Sequence, residues 1–486
     1  MRGPPRAKVI ESAREVGSRV LRSRWSRALP WLVALVSLAA PALTGELPRE
    51  HACPELAAAA PDAPAARLSE SMVLTRADLL RLSALLPPEV WRHRDVFFHD
   101  GMRMVIGACH RRYPQPAAYQ RATERFAGRA RLDGDANLAG YTAGLPFPAQ
   151  SIDLAASDAG ARWAWNCELR HRGAGPGGRF RITDLPGGAG DAQTSQGSWF
   201  QVLTAYRADI VSDGDRPGAA GPAAWVAGGR FTEPADARGV AWQQTRALAA
   251  AQQYALPDDV FVFVPALRKV RRASSPWVDG IYLPRHRGPG GVVGAGGVAA
   301  SGAAASVTEN LARGFTGLSI RPNAYVWRVL GVRDVIAPLN AARGGYPADP
   351  ERDFGPSGLS LADDRWDVRQ AVAIQGALRE RGRDYDWLTL YVDTETQQPL
   401  YVITERRSDH RAGVGILLHR WSGDQPGYPA WPDGEPASVF DPAAAVFFDE
   451  SDGSGWRRES YDVKSSPLSD EELRYRTSSA FLERPR

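Results

Sequence analysis

The sequence predicts an α+β fold in which amphipathic helices lie on one face of a large curved antiparallel sheet. Two observations carry this. Apolar residues recur at helical spacing early in the ordered chain, and from about residue 160 the period switches to two and mostly stays there. With 486 residues, 44% hydrophobic and 23% charged, the chain has the composition of a globular protein with a sizeable core.

The elements follow in order. Residues 1–27 hold eight basic and two acidic side chains, so the rest of the chain has 51 basic against 53 acidic and little overall attraction for polyanions. This argues against a nucleic-acid partner. Next comes ALPWLVALVSLAAPALTG, free of charge and ending in small residues that include Ala40, Pro41 and Ala42. A basic start, a short apolar run and an Ala-x-Ala-like end make residues 1–45 a secretory signal peptide, with cleavage expected near Ala42. An uncleaved anchor is the alternative, although a spanning helix needs roughly 20 apolar residues and Pro30 and Pro41 interrupt this run. Residues 46–70 are Ala/Pro-rich without a period and read as a disordered tether. A single domain is expected from 71 to 486.

Its first helix is expected in LTRADLLRLSALLPPEVW, with Thr75 as N-cap, Asp78 three residues on, Leu79, Leu82 and Leu86 along one side, and Pro87-Pro88 as the stop. A second is expected in PAAYQRATERFAG, where Tyr119, Ala122, Thr123 and Phe126 share a face between Pro116 and Gly128. In GARWAWNCELRHRG, apolar side chains fall at every second position from Ala161 to Leu169, which predicts a strand over 161–171. Further strands are expected at 199–211, 259–264, 324–330, 332–337, 365–375, 385–393, 398–405 and 413–420, the last four as a meander. Residues 236–256 remain open between strand and helix. Gly-rich composition marks loop inserts at 173–197 and 287–306.

Export permits a disulfide among Cys53, Cys109 and Cys167. Cys167 shares the tryptophan side of its expected strand and reads as a small buried hydrophobe, which leaves Cys53 with Cys109. Chemical motifs are sparse. GAGGVA at 294–299 lacks the buried strand and helix start that a dinucleotide site requires, and DESDGSGW at 449–456 lacks the glycine of a calcium loop. No two of the eight histidines are four residues apart, and there is no Gly-x-Ser-x-Gly elbow. No cofactor or metal is indicated. Carboxylates at Asp363, Asp364, Asp367, Asp384 and Asp386 admit a two-carboxylate glycosidase, although Asp at strand ends is ordinarily turn chemistry.

The aromatic strands are the stronger feature. Trp163, Trp165, Phe261, Phe263, Tyr325, Trp327, Trp366 and Trp387 supply more ring surface than a small core needs, at roughly 150–250 Å² each. They either pack against the helices or line an apolar slot for a hydrophobe. Arg268, Lys269, Arg271 and Arg272 follow the apolar run VFVFVP and form either a docking patch for acidic headgroups or a partner protein, or a solvated strand face.

The blocks YTAGLPFP, WAWNCELRHRG, FVFVPALRKVRRAS, GFTGLSIRPNAYVWRVLGVRDVIAPLN, RWDVRQAVAI and YDWLTLYVDTETQQPLYVITE resemble, in order and spacing over most of residues 72–480, an exported bacterial family catalogued as domain of unknown function 1329. That family is similar to the outer-membrane lipoprotein sorting proteins, the periplasmic lipoprotein carrier and its outer-membrane receptor. The resemblance implies an antiparallel half-barrel closed by N-terminal helices over an apolar cavity. It implies a non-enzymatic binding protein for a lipid or lipid-like hydrophobe, in the periplasm or at the periplasmic face of the outer membrane. It also implies a resistance-nodulation-division type exporter or an outer-membrane protein as partner. The long basic leader, the insert at 294–306 and the stretch AWQQTRALAAAQQYALPDDVF depart from the family pattern, the last placing the cavity wall near 240–265 in doubt. The alternatives are an envelope glycan hydrolase using the aspartates and a structural partner of an exporter.

Overall fold

The computed structural model describes residues 52–56, 66–185, 191–209, 222–272, 285–286, 292–293, 318–343, 354–380, 385–450, 455–465 and 467–484. All of these fall in one compact unit, Leu43–Arg486.

Fifteen strands join in one sheet. In chain order they are β1 (Val73–Leu74), β2 (Met104–Cys109), β3 (Gly177–Leu185), β4 (Gln193–Leu203), β5 (Ala223–Glu233), β6 (Ala241–Ala247), β7 (Asp259–Val264), β8 (Lys269–Arg272), β9 (Tyr325–Ala337), β10 (Arg365–Leu378), β11 (Trp387–Asp393), β12 (Pro399–Glu405), β13 (Ala412–Trp421), β14 (Phe440–Asp449) and β15 (Gly455–Lys464). Side by side they run β8, β7, β6, β5, β4, β3, β15, β14, β13, β12, β11, β10, β2, β1, with β9 also paired to β10. The pairs are antiparallel except β10 with β2, which is parallel. The two ends of this order, β8 and β1, do not pair, so the sheet is not closed on itself. The large, mainly antiparallel sheet with a few helices is thus as the sequence predicts, and β10 to β13 form the expected meander.

Helices cover both faces of the sheet rather than one. Along β10, Ala371 and Ala373 join a cluster with Leu79, Leu82, Val90 and Phe97 of the N-terminal helices, whereas Val372 and Ile374 join Ala161, Trp163 and Ala164 on the other side. Both faces of the central strands are therefore buried, which is why their apolar residues run almost continuously. Residues Arg76–Leu85 form a 3-10 helix rather than an α-helix, with Thr75 N–H donating to Asp78 Oδ2 at 3.1 Å. Leu79, Leu82 and Leu85 are buried at a spacing of three, which a threefold helix eclipses. Two short helices follow, α1 (Pro88–Arg92) and α2 (Arg94–Phe97), and α3 (Ala117–Arg125) stands where helical spacing predicts it.

The expected strand over 161–171 is corrected: Ala159–Glu168 is a helix, α4. Nine of its ten residues are buried, so it has no polar face to set a helical period, and the every-second-residue aromatics arose by chance. Gly160 lets it press onto β9, because a Cβ there would lie 3.0 Å from Trp327 Cβ. The insert at 173–197 is corrected in part, since β3 and the start of β4 occupy most of it. Residues 236–256 resolve into β6 and a 3-10 turn, Leu248–Ala251. Strands expected separately at 324–330 and 332–337 form one, β9, with a register shift between Val329 and Gly331. Two C-terminal helices, α5 (Asp470–Thr477) and α6 (Ala480–Glu483), were not anticipated. Cys53 and Cys109 are joined in a disulfide, and Cys167 is a buried free thiol. The leader at 1–45, most of the tether and nearly all of the insert at 287–306 lie outside the described residues.

Candidate functional site

A pocket opens where α4 meets the segment before β9 and the ends of β4, β5 and β6. Its apolar wall is Trp165 and Leu169 from α4 and its exit, Leu203, Ala205 and Tyr206 from the end of β4, Trp225 of β5, Leu248 after β6, and Ile320 and Pro322. Its cavity volume is about 60 Å³.

Charged side chains line the same pocket: Glu168, Arg170, Arg172, Arg246 and Arg321. Burial of charge at this level is tolerated only with partners. Asp258, with no exposed side-chain surface, accepts from Arg246 Nη2 at 2.9 Å, from Gln244 Nε2 at 2.8 Å and from Arg321 Nη2. Glu168 accepts from the Ser319 hydroxyl and the Ile320 N–H, both at 2.7 Å, and forms longer ion pairs with Arg172 at 3.7 Å and Arg246 at 3.8 Å. Arg170 donates to the Gln398 side-chain oxygen and the Leu318 carbonyl, both at 2.8 Å. Arg172 donates to the Glu168 and Leu318 carbonyls at 2.8 and 3.2 Å, while its Nε is buried with no acceptor. The Arg246 guanidinium lies 4.7 Å over the Trp225 ring, whose own indole N–H is buried without a partner. Burial, and then the neighbouring Arg172 charge, lower Arg170 to about 10, so it remains a cation at neutral pH.

The sequence-derived aromatic set is divided by the fold. Trp163, Trp165, Tyr325 and Trp327 share one cluster. Trp163 is fully buried, and Trp165 donates its indole N–H to the Ala136 carbonyl at 2.8 Å while lining the pocket. Tyr325 and Tyr385 join hydroxyls at 2.8 Å, and Trp327 Nε1 donates to the Pro322 carbonyl at 2.6 Å. Trp366 is buried on the opposite face of the sheet. Phe261 and Phe263 pack toward Phe481 and Leu482 of α6, on the side of β7 away from Val260 and Val262. Trp387 is half-buried beneath Arg407, 5.2 Å away. The cations Arg268, Lys269, Arg271 and Arg272 are exposed on or beside β8, the edge strand, with Arg272 paired to Asp259.

Of the aspartates, Asp364 accepts backbone N–H groups of Ala342 and Arg365, both at 2.7 Å. Asp367 is buried where a Cβ on Gly107 would fall 1.8 Å from its Oδ1, and burial pushes its carboxyl up to about 6. Asp386 accepts from the Arg407 N–H at 2.7 Å, and Asp384 lies outside the described residues. Among the described residues no three His, Cys, Asp or Glu side chains gather as a metal site, and no helix is long and apolar enough to cross a membrane.

Sequence reasoning missed the arginine cluster. Under a strand reading Arg170 alternated with apolar neighbours and looked solvent-facing. The available signal was Glu168, Arg170 and Arg172 crowded into the most aromatic stretch of the chain.

Fold and pocket define an α+β protein with an open sheet and an internal site whose mostly apolar wall is joined by buried, paired charges. Within it, residues 84–284 match the family described as Protein of unknown function (DUF1329), as the sequence blocks suggested. Among solved structures, the chain is similar to an outer membrane lipoprotein-sorting protein domain from Vibrio parahaemolyticus, at 12% identity and TM-score 0.37, covering 68% of this chain and 100% of that one. It is similar to a DUF1329 family protein from Desulfovibrio piger, at 12% identity and TM-score 0.38, covering 67% and 98%. It is also similar to a LolA superfamily protein from Nitrosomonas europaea, at 15% identity and TM-score 0.30, covering 65% and 96%. No curated protein matches the chain.

Proposed function

We propose that this is an exported, non-enzymatic binding protein that holds a lipid or lipid-like hydrophobe during cell-envelope transport or outer-membrane lipoprotein sorting. The observation that carries the reading is the pocket beside α4. Its wall is mostly apolar with a few polar and charged groups among it, the make-up of small-molecule sites. Each methylene buried along that wall would contribute ~0.8 kcal/mol. Trp165 forms the wall, with Trp163, Tyr325 and Trp327 packed behind it. The exposed cations Arg268, Lys269, Arg271 and Arg272 contact headgroups or a membrane partner, either an outer-membrane protein or a resistance-nodulation-division type exporter.

The disulfide between Cys53 and Cys109 supports an oxidising compartment, which agrees with a leader over 1–45 and with the periplasm or the periplasmic face of the outer membrane. In this reading residues 71–486 act as one half-barrel domain, and α4 covers the cavity-bearing face of the sheet while the N-terminal helices pack on the opposite face.

The test is titration of the purified protein with Nile red, an uncharged apolar dye. Saturable, stoichiometric binding that Trp165→Ala weakens supports the reading; absence of saturable binding refutes it.

A further inference from the structure

We infer that the hairpin at the β8 end of the sheet is the surface by which this protein docks on an anionic lipid bilayer. The inference rests on the envelope reading above and names the partner of cations that it leaves between a membrane and a protein.

The turn Pro265–Leu267 joins β7 to β8, the strand at one end of the sheet. Ala266 and Leu267 are exposed there, Leu267 by 38%. Arg268 follows with a left-handed backbone, φ 48°, and Lys269 and Arg271 stand exposed on β8. Among the described residues these three cations make no ion pair or hydrogen bond, whereas Arg272 is paired with Asp259. The distribution of charge along the chain sets this hairpin apart. Residues 260–317 hold seven basic and two acidic side chains, which leaves 44 basic against 51 acidic in the rest of the chain after residue 27. Most of the molecule is therefore repelled by an anionic surface, and the approach that lowers the energy presents this edge first.

Strand register favours a membrane over a protein partner. Lys269 and Arg271 stand opposite Val264 and Val262, on the face of the sheet where Val262 packs with Trp199 and Trp242. Arg272 stands opposite Phe261, on the other face, where α6 packs. The cations thus leave both faces of one strand and the turn before it. A protein laid on one face meets only some of them, whereas a headgroup layer entered end-on by the turn surrounds them all. Leu267 then reaches the acyl boundary while the arginine and lysine stems lie beside it and keep their charges at the level of the phosphates.

The test is flotation of the protein, purified from envelope extracts, with vesicles of phosphatidylglycerol mixed with phosphatidylethanolamine, and with vesicles of phosphatidylcholine alone. A cation at an anionic membrane surface strengthens binding about five-fold, so the three unpaired ones predict a roughly hundred-fold preference for the phosphatidylglycerol vesicles, lost in ~0.5 M salt. An Arg268→Gln, Lys269→Gln, Arg271→Gln variant is expected to lose most of that preference. Any retained basic residues of 1–27 count equally in both proteins. Leu267→Ser is expected to weaken binding roughly ten-fold with its salt dependence unchanged. All four side chains are exposed, and an unchanged urea midpoint verifies the fold of each variant. Equal binding to both kinds of vesicle, or a preference that the triple variant keeps, overturns the inference. Binding of poly-L-glutamate without binding of vesicles overturns it too, and makes an acidic protein the partner. Nile red titration separates the two readings: dye binding without a vesicle preference removes the docking surface and leaves the hydrophobe site, and a vesicle preference without dye binding does the reverse.

Discussion

Removal of Asp258 tests the buried charge cluster most sharply. Its carboxylate has no exposed surface and accepts from Gln244, Arg246 and Arg321, whose guanidiniums are 8% and 2% exposed. Asp258→Ala therefore takes a shared charged acceptor from two buried cations and one amide donor. Breaking a buried ion pair by deleting one partner costs ~3–5 kcal/mol, and a shared carboxylate belongs at the upper end of that range. Asp258→Asn keeps an oxygen acceptor without the charge and should lose less. Urea unfolding at pH 7 reads the effect as a lower midpoint at unchanged slope. Because the pairs are buried, the loss should persist in ~0.5 M salt, where surface pairs are screened. A loss below about 1 kcal/mol would refute the reasoning, since it would mean that water solvates these guanidiniums as it does those of surface pairs.

Three further outcomes are expected. Replacing both Cys53 and Cys109 by Ser opens a loop closed across 56 residues and should cost about 4 kcal/mol in urea, a value that loop-closure entropy sets. His419 is buried with neither ring nitrogen hydrogen-bonded, and burial lowers it to about 3. Its folded value lies below the ordinary 6.5, so its stabilising contribution is present above pH 6.5 and is lost as pH falls toward 3. By pH 5 the protein should have lost ~2 kcal/mol that His419→Leu does not lose, in paired unfolding titrations. The carboxyls of Asp367 and Asp441, which burial raises to about 6, act in the opposite sense but equally in both proteins, so the difference isolates the histidine. Trp163→Ala should cost ~3–5 kcal/mol of stability and leave Nile red affinity in the native fraction unchanged, while Trp165→Ala should weaken that affinity directly.

The part of the architecture that a sequence can express as alternation was legible. Strands β7 and β10 to β13 fall where period two places them, because turns of Gly, Asp and Asn bound them and each has at least one consistently apolar side. The helix α4 was not legible, because a helix buried on every side loses the polar stripe by which helices announce themselves. Strands β3 and β4 were obscured by their glycines, such as Gly177, Gly178 and Gly197, which composition assigns to loops. The pairing of Cys53 with Cys109 followed from the expected export and from the apolar surroundings of Cys167. The site was legible only in its tryptophan, Trp165. Its arginines come from three separate segments, Arg170 with Arg172, Arg246 and Arg321, and only folding brings the last two together with Asp258 beside Glu168.

The central claim is that this protein carries a lipid or lipid-like hydrophobe, and the direct measurement is of what it already holds. The protein is purified from envelope extracts under mild conditions, extracted with organic solvent, and the extract is identified by mass spectrometry. The account expects about one lipid or lipid-like hydrophobe per chain, and its loss from a Trp165→Ala variant that remains folded. An empty extract from a protein that also fails to bind Nile red would contradict it, and would return the pocket beside α4 to the packing of the core.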